Sequence, residues 1–176
     1  MFIRIKRING QHYAYKVKNA WTESGARQKS VKYLGKAVVL PPPDATAFAS
    51  LPSDADYPCI VSSLIEWELL SRGFRKTEGC FVKEGATLAL KSHVPHAQEK
   101  PVVLKINDGY LCQETVQRIL SFRRKDEEDH EQAGIRLANA FISAGIRIPP
   151  EVFVKAYDKV SYFEEPQVKA GIEDYQ

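Results

Sequence analysis

The sequence has little cysteine and no long apolar run. Its three cysteines, Cys59, Cys80 and Cys112, are odd in number, widely spaced and without a CxxC pair, which favours reduced core thiols over a disulfide framework or a zinc ribbon. No stretch approaches the ~18 to 20 apolar residues of a membrane span. The opening segment, MFIRIKRING, alternates charged and apolar side chains instead of forming a secretory leader. We therefore predict a cytoplasmic protein without a membrane partner.

Sequence signatures of catalysis are also missing. Gly73, Gly79 and Gly85 lack the strand-loop-helix context and the following Lys-Ser/Thr of a phosphate-binding loop, so they predict turns. No Ser/His/Asp or Cys/His arrangement follows from order or spacing. The acidic residues of 126–131 follow directly on the basic residues 123–125, a pattern typical of a solvated helix start or loop with local ion pairs. We therefore favour a non-enzymatic protein without a cofactor or a metal.

Acidic residues are scarce in one part of the chain. Residues 1–40 hold nine Lys and Arg against a single acid, Glu23, for a net charge of +8. The remaining 136 residues hold 16 Lys and Arg against 21 Asp and Glu, for a net charge of −5. Such a division separates a segment that binds polyanions from a solvated body.

Three alternating runs predict antiparallel strands in the basic segment. Residues 2–8 alternate and stop at Asn9-Gly10, a dipeptide that suits a two-residue hairpin turn because both positions tolerate a positive φ. The second run, 12–18, leads to a polar turn at 23–25, and the third run, 26–34, ends at Gly35. We predict a small three-stranded antiparallel sheet.

Alternation also predicts two chemically different faces for this sheet, since successive side chains of a strand point to opposite sides. We assign to an apolar face Ile3, Ile5, Tyr13, Tyr15, Val17, Val31 and Tyr33. We assign to a basic face Arg4, Lys6, His12, Lys16, Lys18, Gln28 and Lys32. The apolar face needs a cover, for which residues 36–58 offer at most a short helix over 45–51.

Five prolines in residues 41–58 predict a linker between the basic sheet and a larger body. The predicted fold class is α+β, divided into a basic β module at 1–40, a Pro/Ala-rich linker at 41–58, an α+β body at 59–163 and a loose tail at 164–176. In the body, apolar patterns and turn residues predict a buried helix at 59–71, strands within 74–91 and at 101–107, and helices at 112–122, 130–144 and 150–160.

The cations of the basic sheet predict nucleic-acid binding. Arg and Lys provide phosphate contacts, and a narrow β-sheet face fits the major groove of duplex DNA, where Gln28 and His12 are able to hydrogen-bond base edges. The predicted binding residues are Arg4, Lys6, His12, Lys16, Lys18, Arg27, Gln28, Lys29 and Lys32.

Two alternatives to duplex DNA binding stay open. The basic sheet could instead bind RNA in a ribosome- or RNP-associated factor, with Tyr13, Tyr15, Tyr33 and Trp21 stacking on bases. The chain could also be a metal-dependent nuclease whose ligands meet only in the fold. For the acidic body we predict a protein partner or a homodimer, because its helices could expose apolar stripes.

The N-terminal segment also resembles known families. Its third run contains G-x-R-Q-K-x-V-K-Y-L-G, formed by Gly25, Arg27, Gln28, Lys29, Val31, Lys32, Tyr33, Leu34 and Gly35. With the preceding basic hairpin, residues 2–36 resemble the N-terminal segment of insertion-sequence transposases and, more loosely, arm-type DNA-binding domains of tyrosine recombinases. The resemblance implies a β-sheet that docks on DNA. The chain beyond residue 40 is too short for a transposase catalytic domain and carries no Arg/His/Tyr recombinase set.

The best candidates for metal ligands are two cysteines and two histidines. Cys80, His93, His96 and Cys112 offer the N and S donors that zinc prefers. His93 and His96 stand close together on a predicted loop, but neither cysteine has a near neighbour of the same kind. Two surface histidines and two core thiols are the alternative, and we predict no metal site.

Overall fold

A computed structural model describes residues 2–23, 25–83 and 86–161, and in them the chain is α+β, with nine strands and four helices. The strands are β1 (Phe2–Ile8), β2 (Gln11–Thr22), β3 (Gly25–Val39), β4 (Arg75–Thr77), β5 (Cys80–Lys83), β6 (Ala86–Lys91), β7 (Val94–Ala97), β8 (Lys100–Ile106) and β9 (Gly109–Leu111). The helices are α1 (Tyr57–Leu70), α2 (Gln113–Leu120), α3 (His130–Ala144) and α4 (Pro150–Ser161). The predicted loose tail at 164–176 lies outside the described residues.

The predicted N-terminal sheet is confirmed. β1 and β2 form a hairpin around Asn9 and Gly10, whose φ angles of 50° and 77° are those of a tight two-residue turn. β2 and β3 pair antiparallel and are longer than their alternating runs. β3 continues past Gly35, where the sequence pattern predicted its end, as far as Val39.

The extension of β3 joins the basic sheet to the body. Residues 36–39 pair in parallel with residues 102–105 of β8, so that the strand order is β1-β2-β3-β8-β7-β6-β5-β4, with β9 also on β8. Gly35 lies where β3 closes on β8: its φ is 130°, and a Cβ at this position would collide with the carbonyl oxygen of Pro101. The boundary predicted at residue 40 thus coincides with the end of β3, while the sheet itself runs on into the body.

The proline-rich segment after β3 packs on α1. Residues 41–56 form no helix or strand, so the short helix considered over 45–51 is absent. The Trp67 Nε1 donates to the carbonyl oxygen of Thr46 at 3.0 Å, and the rings of Phe48 and Trp67 meet edge to face at 5.3 Å between centroids. These contacts hold the segment against the body.

The helices surround the larger apolar core. α1 begins after Asp56, whose carboxylate accepts from the Cys59 N–H at 2.8 Å, and it buries Ile60, Leu64 and Leu69. The helices predicted over 59–71, 112–122, 130–144 and 150–160 are all present, and α3 ends at Gly145, whose φ is 75°. No helix in residues 2–23, 25–83 and 86–161 is long and apolar enough to cross a membrane.

Strands β4 to β7 form an antiparallel meander that continues the sheet beyond β8. The strands predicted within 74–91 and at 101–107 are present. The loop predicted around the two histidines is wrong in part, because His96 lies in β7, while His93 occupies the preceding turn. This short strand escaped the sequence pattern because Pro95 lies within it and it spans only four residues.

A buried charge network ties α1 to the segment that joins α3 to α4. Glu68 and Arg72 are fully buried and form an ion pair. The second Glu68 oxygen accepts from Arg147, from its backbone N–H at 2.7 Å and its Nε at 2.9 Å. The Arg147 guanidinium also lies 4.2 Å from the centre of the Trp67 ring, and Arg72 donates to Asn107 at 2.8 Å. Glu68 therefore has a structural pairing role.

Candidate nucleic-acid interface

The strand register divides the N-terminal sheet differently from the predicted faces. The two-residue turn places Ile8 opposite Gln11, which pairs every odd-numbered residue of β1 with an even-numbered residue of β2. Arg4 therefore lies opposite Tyr15 and Lys6 opposite Tyr13, and directly opposed residues share a face. The predicted separation of an apolar face from a basic face is therefore wrong. It assumed that the odd-numbered residues of both strands share a face, whereas odd-numbered residues of β1 share a face with even-numbered residues of β2.

One side of the sheet, which we call the tyrosine face, combines cations with aromatic rings. It consists of Arg4, Lys6, Tyr13, Tyr15, Gln28, Tyr33 and Lys36. The Tyr33 ring centroid lies 6.3 Å from that of Tyr13 and 5.4 Å from that of Tyr15, and the Lys6 Nζ lies 4.9 Å from the centre of the Tyr15 ring. Arg4 donates to the side chain of Gln28. The face is thus a basic aromatic surface.

Tyr33 is the most exposed of the three tyrosines, with 53% of its surface accessible. Its pKa is raised above the ordinary value of 10.0 by desolvation, and further by Tyr13 and Tyr15. Tyr33 therefore presents an uncharged phenol ring to solvent at neutral pH.

The opposite side, which we call the docked face, packs on the body. Ile3 and Ile5 lie there against a small core of Ala14, Ala37, Val103 and Cys112. Lys16 and Lys32 are directly opposed on the same face, and both pair with Glu114 of α2, at 2.6 Å and 3.1 Å. The hydrogen bond from Lys16 is the largest cause that lowers the pKa of Glu114 below its ordinary value of 4.5.

β2 and β3 extend past the N-terminal end of β1, and there the described sheet consists of these two strands. Phe2 is opposite Val17, and among the residues that the structure describes Lys18–Thr22 pair with Gly25–Lys29 alone. We call these two stretches the ribbon. Most of its residues are exposed, and Trp21 near its end has 85% of its surface accessible. Within residues 2–23, 25–83 and 86–161, the ribbon is thus an exposed two-stranded projection.

The ribbon carries an uncompensated pair of cations. Lys18 lies directly opposite Lys29, with the exposed Arg27 on the same face, opposite Ala20. Like charges in directly opposed positions repel each other. Throughout the part of the chain that the structure describes, no carboxylate lies within ion-pairing distance of Lys18 or Lys29. The neighbouring pair on the docked face differs because Glu114 neutralises it.

The nine predicted binding residues thus fall into four places. Arg4, Lys6 and Gln28 lie on the tyrosine face; Lys16 and Lys32 on the docked face; Lys18, Arg27 and Lys29 on the docked-face side of the ribbon; and His12, exposed, opposite Arg7 beside the first turn. Gln28 belongs to the ribbon as well, opposite Asn19. The structure therefore does not gather the nine on one face.

Protein-family models, curated proteins and solved structures were compared with the chain. None of them matches. The resemblance of residues 2–36 to transposase segments and arm-type domains therefore stays a prediction. The structure explains why both ends of the G-x-R-Q-K-x-V-K-Y-L-G motif are glycines. Gly25 has a φ of 95° beside the second turn, and a Cβ at Gly35 would collide with Pro101.

Sequence reasoning missed three features of this region. Glu114 stands 98 residues from Lys16, and no local pattern signals such a contact. The tyrosines were assigned to a buried face, although counting across the Asn9-Gly10 turn would have placed them beside Arg4 and Lys6. Lys36 was assigned to neither face, because the predicted third strand ended one residue earlier, at Gly35.

A groove of about 970 Å³ adjoins the tyrosine face. β3 forms one wall with Tyr33 and Lys36, and strands β5 to β7 with the following turn and the start of β8 form the other. Polar groups of that second wall include His96 and Lys100, and the His96 Nδ1 lies 2.9 Å from the carbonyl oxygen of Val94. Glu99 also borders the groove and pairs with Lys91.

The candidate metal ligands do not form a site. Cys112 is buried in the small core, and Cys80 and His96 lie on β5 and β7. Within residues 2–23, 25–83 and 86–161, no three His, Cys, Asp or Glu side chains are grouped closely enough to hold a metal ion. The acidic residues of 126–131 lie in a loop and at the start of α3. Glu128 pairs there with Arg136, and Asp129 caps α3.

Proposed function

We propose that this protein binds nucleic acid through its N-terminal sheet and that the ribbon engages duplex DNA. The observation that carries the proposal is the Lys18–Lys29 pair. Two ammonium groups are held in directly opposed positions on an exposed ribbon without a carboxylate from the described residues. A phosphate would relieve their repulsion in the way that Glu114 relieves that of Lys16 and Lys32.

The shape of the ribbon favours a duplex as the ligand. The major groove of B-DNA is wide enough to admit a two-stranded β-ribbon. Arg27 and Lys29 would supply phosphate or guanine contacts from the same side of the ribbon as Lys18. The exposed Trp21 near the end of the ribbon adds an apolar group of the kind that packs against DNA.

Salt titrations of duplex DNA binding test the role of the two lysines. Each protein cation that neutralises a phosphate contributes about 0.9 to the slope of log affinity against log salt. The double variant Lys18→Gln/Lys29→Gln should therefore bind more weakly and reduce the slope by about 2. Both side chains are exposed and the variant also removes their repulsion, so it should be at least as stable to heat as the wild type.

A matched control removes two lysines elsewhere. Lys155 and Lys159 are exposed on α4, and Lys155→Gln/Lys159→Gln changes the net charge by the same amount. This control should retain the wild-type slope. The proposal would be wrong if the ribbon variant kept the salt slope of the wild type. It would also be wrong if both double variants lost the same amount of duplex affinity.

The protein partner or homodimer predicted for the acidic body stays a separate proposal. Ile135 and Ile142, one above the other on α3, have 55% and 60% of their surfaces exposed. These two apolar side chains would form the centre of such a contact.

A further inference from the structure

The tyrosine face offers aromatic rings and cations at the same place. Arg4 and Lys6 each lie directly opposite a tyrosine, and Tyr33 contacts both of those tyrosines from β3. Sites for single-stranded nucleic acid combine these same two elements, because bases stack on aromatic side chains while cations follow the backbone. Glu23 is the only acid in residues 1–40 and lies at the far end of the ribbon, so the tyrosine face is positively charged.

Tyr33 belongs both to this face and to the adjoining groove. The volume of the groove, about 970 Å³, is at the upper end of the range of roughly 300–1,000 Å³ for small-molecule sites, and the groove is partly open to solvent. Lys36 and Lys100 supply positive charge along it, and Glu99, the one acid among the described residues that line it, is already paired with Lys91. Rings and cations therefore continue from the sheet surface into the groove.

We infer that the tyrosine face and this groove form a second nucleic-acid site, which takes the unpaired nucleotides of a single strand. Bases within a duplex stack on each other and leave no free ring face, whereas unpaired bases can stack on Tyr33. Lys36 and Lys100 would contact the backbone of the same strand. The inference rests on the proposed function in assigning nucleic acid to this chain, but it uses different residues from the ribbon.

This single-strand site and the duplex site would lie on opposite sides of the same sheet. Lys18 and Lys29 belong to the opposite side of the sheet from Tyr33, and they lie on the ribbon beyond the end of β1. A duplex on the ribbon and a single strand on the tyrosine face would therefore use separate surfaces. Such an arrangement fits nucleic acid with a junction between paired and unpaired segments.

Substitution of Tyr33 tests the stacking contact. The variant Tyr33→Leu keeps an apolar side chain and removes the ring, and Tyr33→Phe restores the ring without the hydroxyl. The probes are an oligothymidylate and an oligouridylate of roughly 16 nucleotides, near the upper limit of single-strand site sizes, and a DNA duplex. We expect Tyr33→Leu to weaken single-strand binding about tenfold, Tyr33→Phe to restore it, and both to leave duplex binding unchanged.

Substitution of Lys100 gives a second measurement that does not depend on the tyrosine packing. Lys100→Gln should lower the salt slope for the oligothymidylate by about 0.7, the contribution of one phosphate contact in a single strand. The control is Lys155→Gln, which removes the same charge from an exposed position on α4 that does not line the groove.

The results separate this inference from the proposed function. Unchanged single-strand affinity in both Tyr33→Leu and Lys100→Gln would overturn the single-strand site, whatever the duplex does. An equal loss of duplex and single-strand affinity in Tyr33→Leu would overturn it as well. Unchanged duplex affinity in Lys18→Gln/Lys29→Gln would overturn the ribbon proposal alone. A loss confined to one of the two oligonucleotides would support the site and identify the sugar it prefers.

Discussion

Lys16 and Glu114 form a hydrogen-bonded ion pair between β2 and the first turn of α2, with 2.6 Å between Nζ and Oε2. Lys32 reaches the other carboxylate oxygen at 3.1 Å. One acid of the body thus holds two opposed cations of the sheet. It connects the strongly basic segment to the acidic body.

Removal of this carboxylate should weaken the contact between the sheet and α2. Glu114→Gln loses two ion pairs in which Lys16 and Glu114 are mostly shielded and Lys32 is half exposed. Partly exposed pairs contribute about 0.2–1 kcal/mol each, so we expect the free energy of unfolding to fall by about 1 kcal/mol. Urea denaturation measures it. The control is Glu127→Gln, an exposed acid in the loop before α3, which should change stability by far less.

The stability that Glu114 provides through its ion pairs should be lost at acid pH. Because its pKa is held below 4.5 in the folded protein, Glu114 stabilises the fold fully above that pH. The stabilisation is lost as the pH falls through the lowered pKa and the carboxylate takes up a proton. The difference in unfolding free energy between wild type and Glu114→Gln should therefore be largest at neutral pH and shrink as the pH falls below 4.5. A constant difference over this range would contradict the ion pairs.

Glu68 should be essential for the stability of the body. Glu68→Ala would leave the guanidinium of Arg72 buried without its counter-charge, and breaking a buried pair in this way costs about 3–5 kcal/mol. Thermal and urea unfolding measure the loss. On the same helix, Glu66 pairs with Lys76 in a partly exposed position, so Glu66→Ala should cost no more than about 1 kcal/mol.

A double variant distinguishes an unpaired charge from a lost side chain. Replacing both Glu68 and Arg72 by Met removes the two charges together, and apolar replacements of a buried pair are often tolerated. Arg147 would still lose a partner, so we expect partial recovery relative to Glu68→Ala. A double variant less stable than Glu68→Ala would show that the packing of the two side chains matters more than their charges.

Gly35 should tolerate no side chain. At a φ of 130°, Gly35→Ala would be strained, and its Cβ would also meet the backbone of Pro101. Gly10 has a positive φ too, but open space surrounds its missing Cβ. Gly10→Ala should therefore cost about 1–2 kcal/mol through the backbone alone, and Gly35→Ala clearly more. Equal unfolding free energies for the two variants would contradict the close approach of β3 to β8.

Local patterns were sufficient to predict most of the elements. Asn9-Gly10 defined the first hairpin, because few other dipeptides accept two positive φ angles. Apolar patterns and turn residues predicted all four helices, because a helix that packs on a core repeats its apolar side chains at a fixed spacing. The pattern failed at β7, a four-residue strand with a proline, since it is held mainly by pairing with its neighbours.

By itself, then, the sequence determined the concentration of positive charge, the hairpin and the α+β composition, since these depend on residue type and short-range spacing. The tertiary structure alone decided which cations remain uncompensated. Lys16 and Lys18 are both lysines of β2, but of these two only Lys16 pairs with Glu114, because α2 packs against the part of the sheet that holds Lys16 and Lys32. The register of the turn, together with two irregularities in the pairing of β2 with β3, likewise placed Tyr13, Tyr15 and Tyr33 beside Arg4 and Lys6.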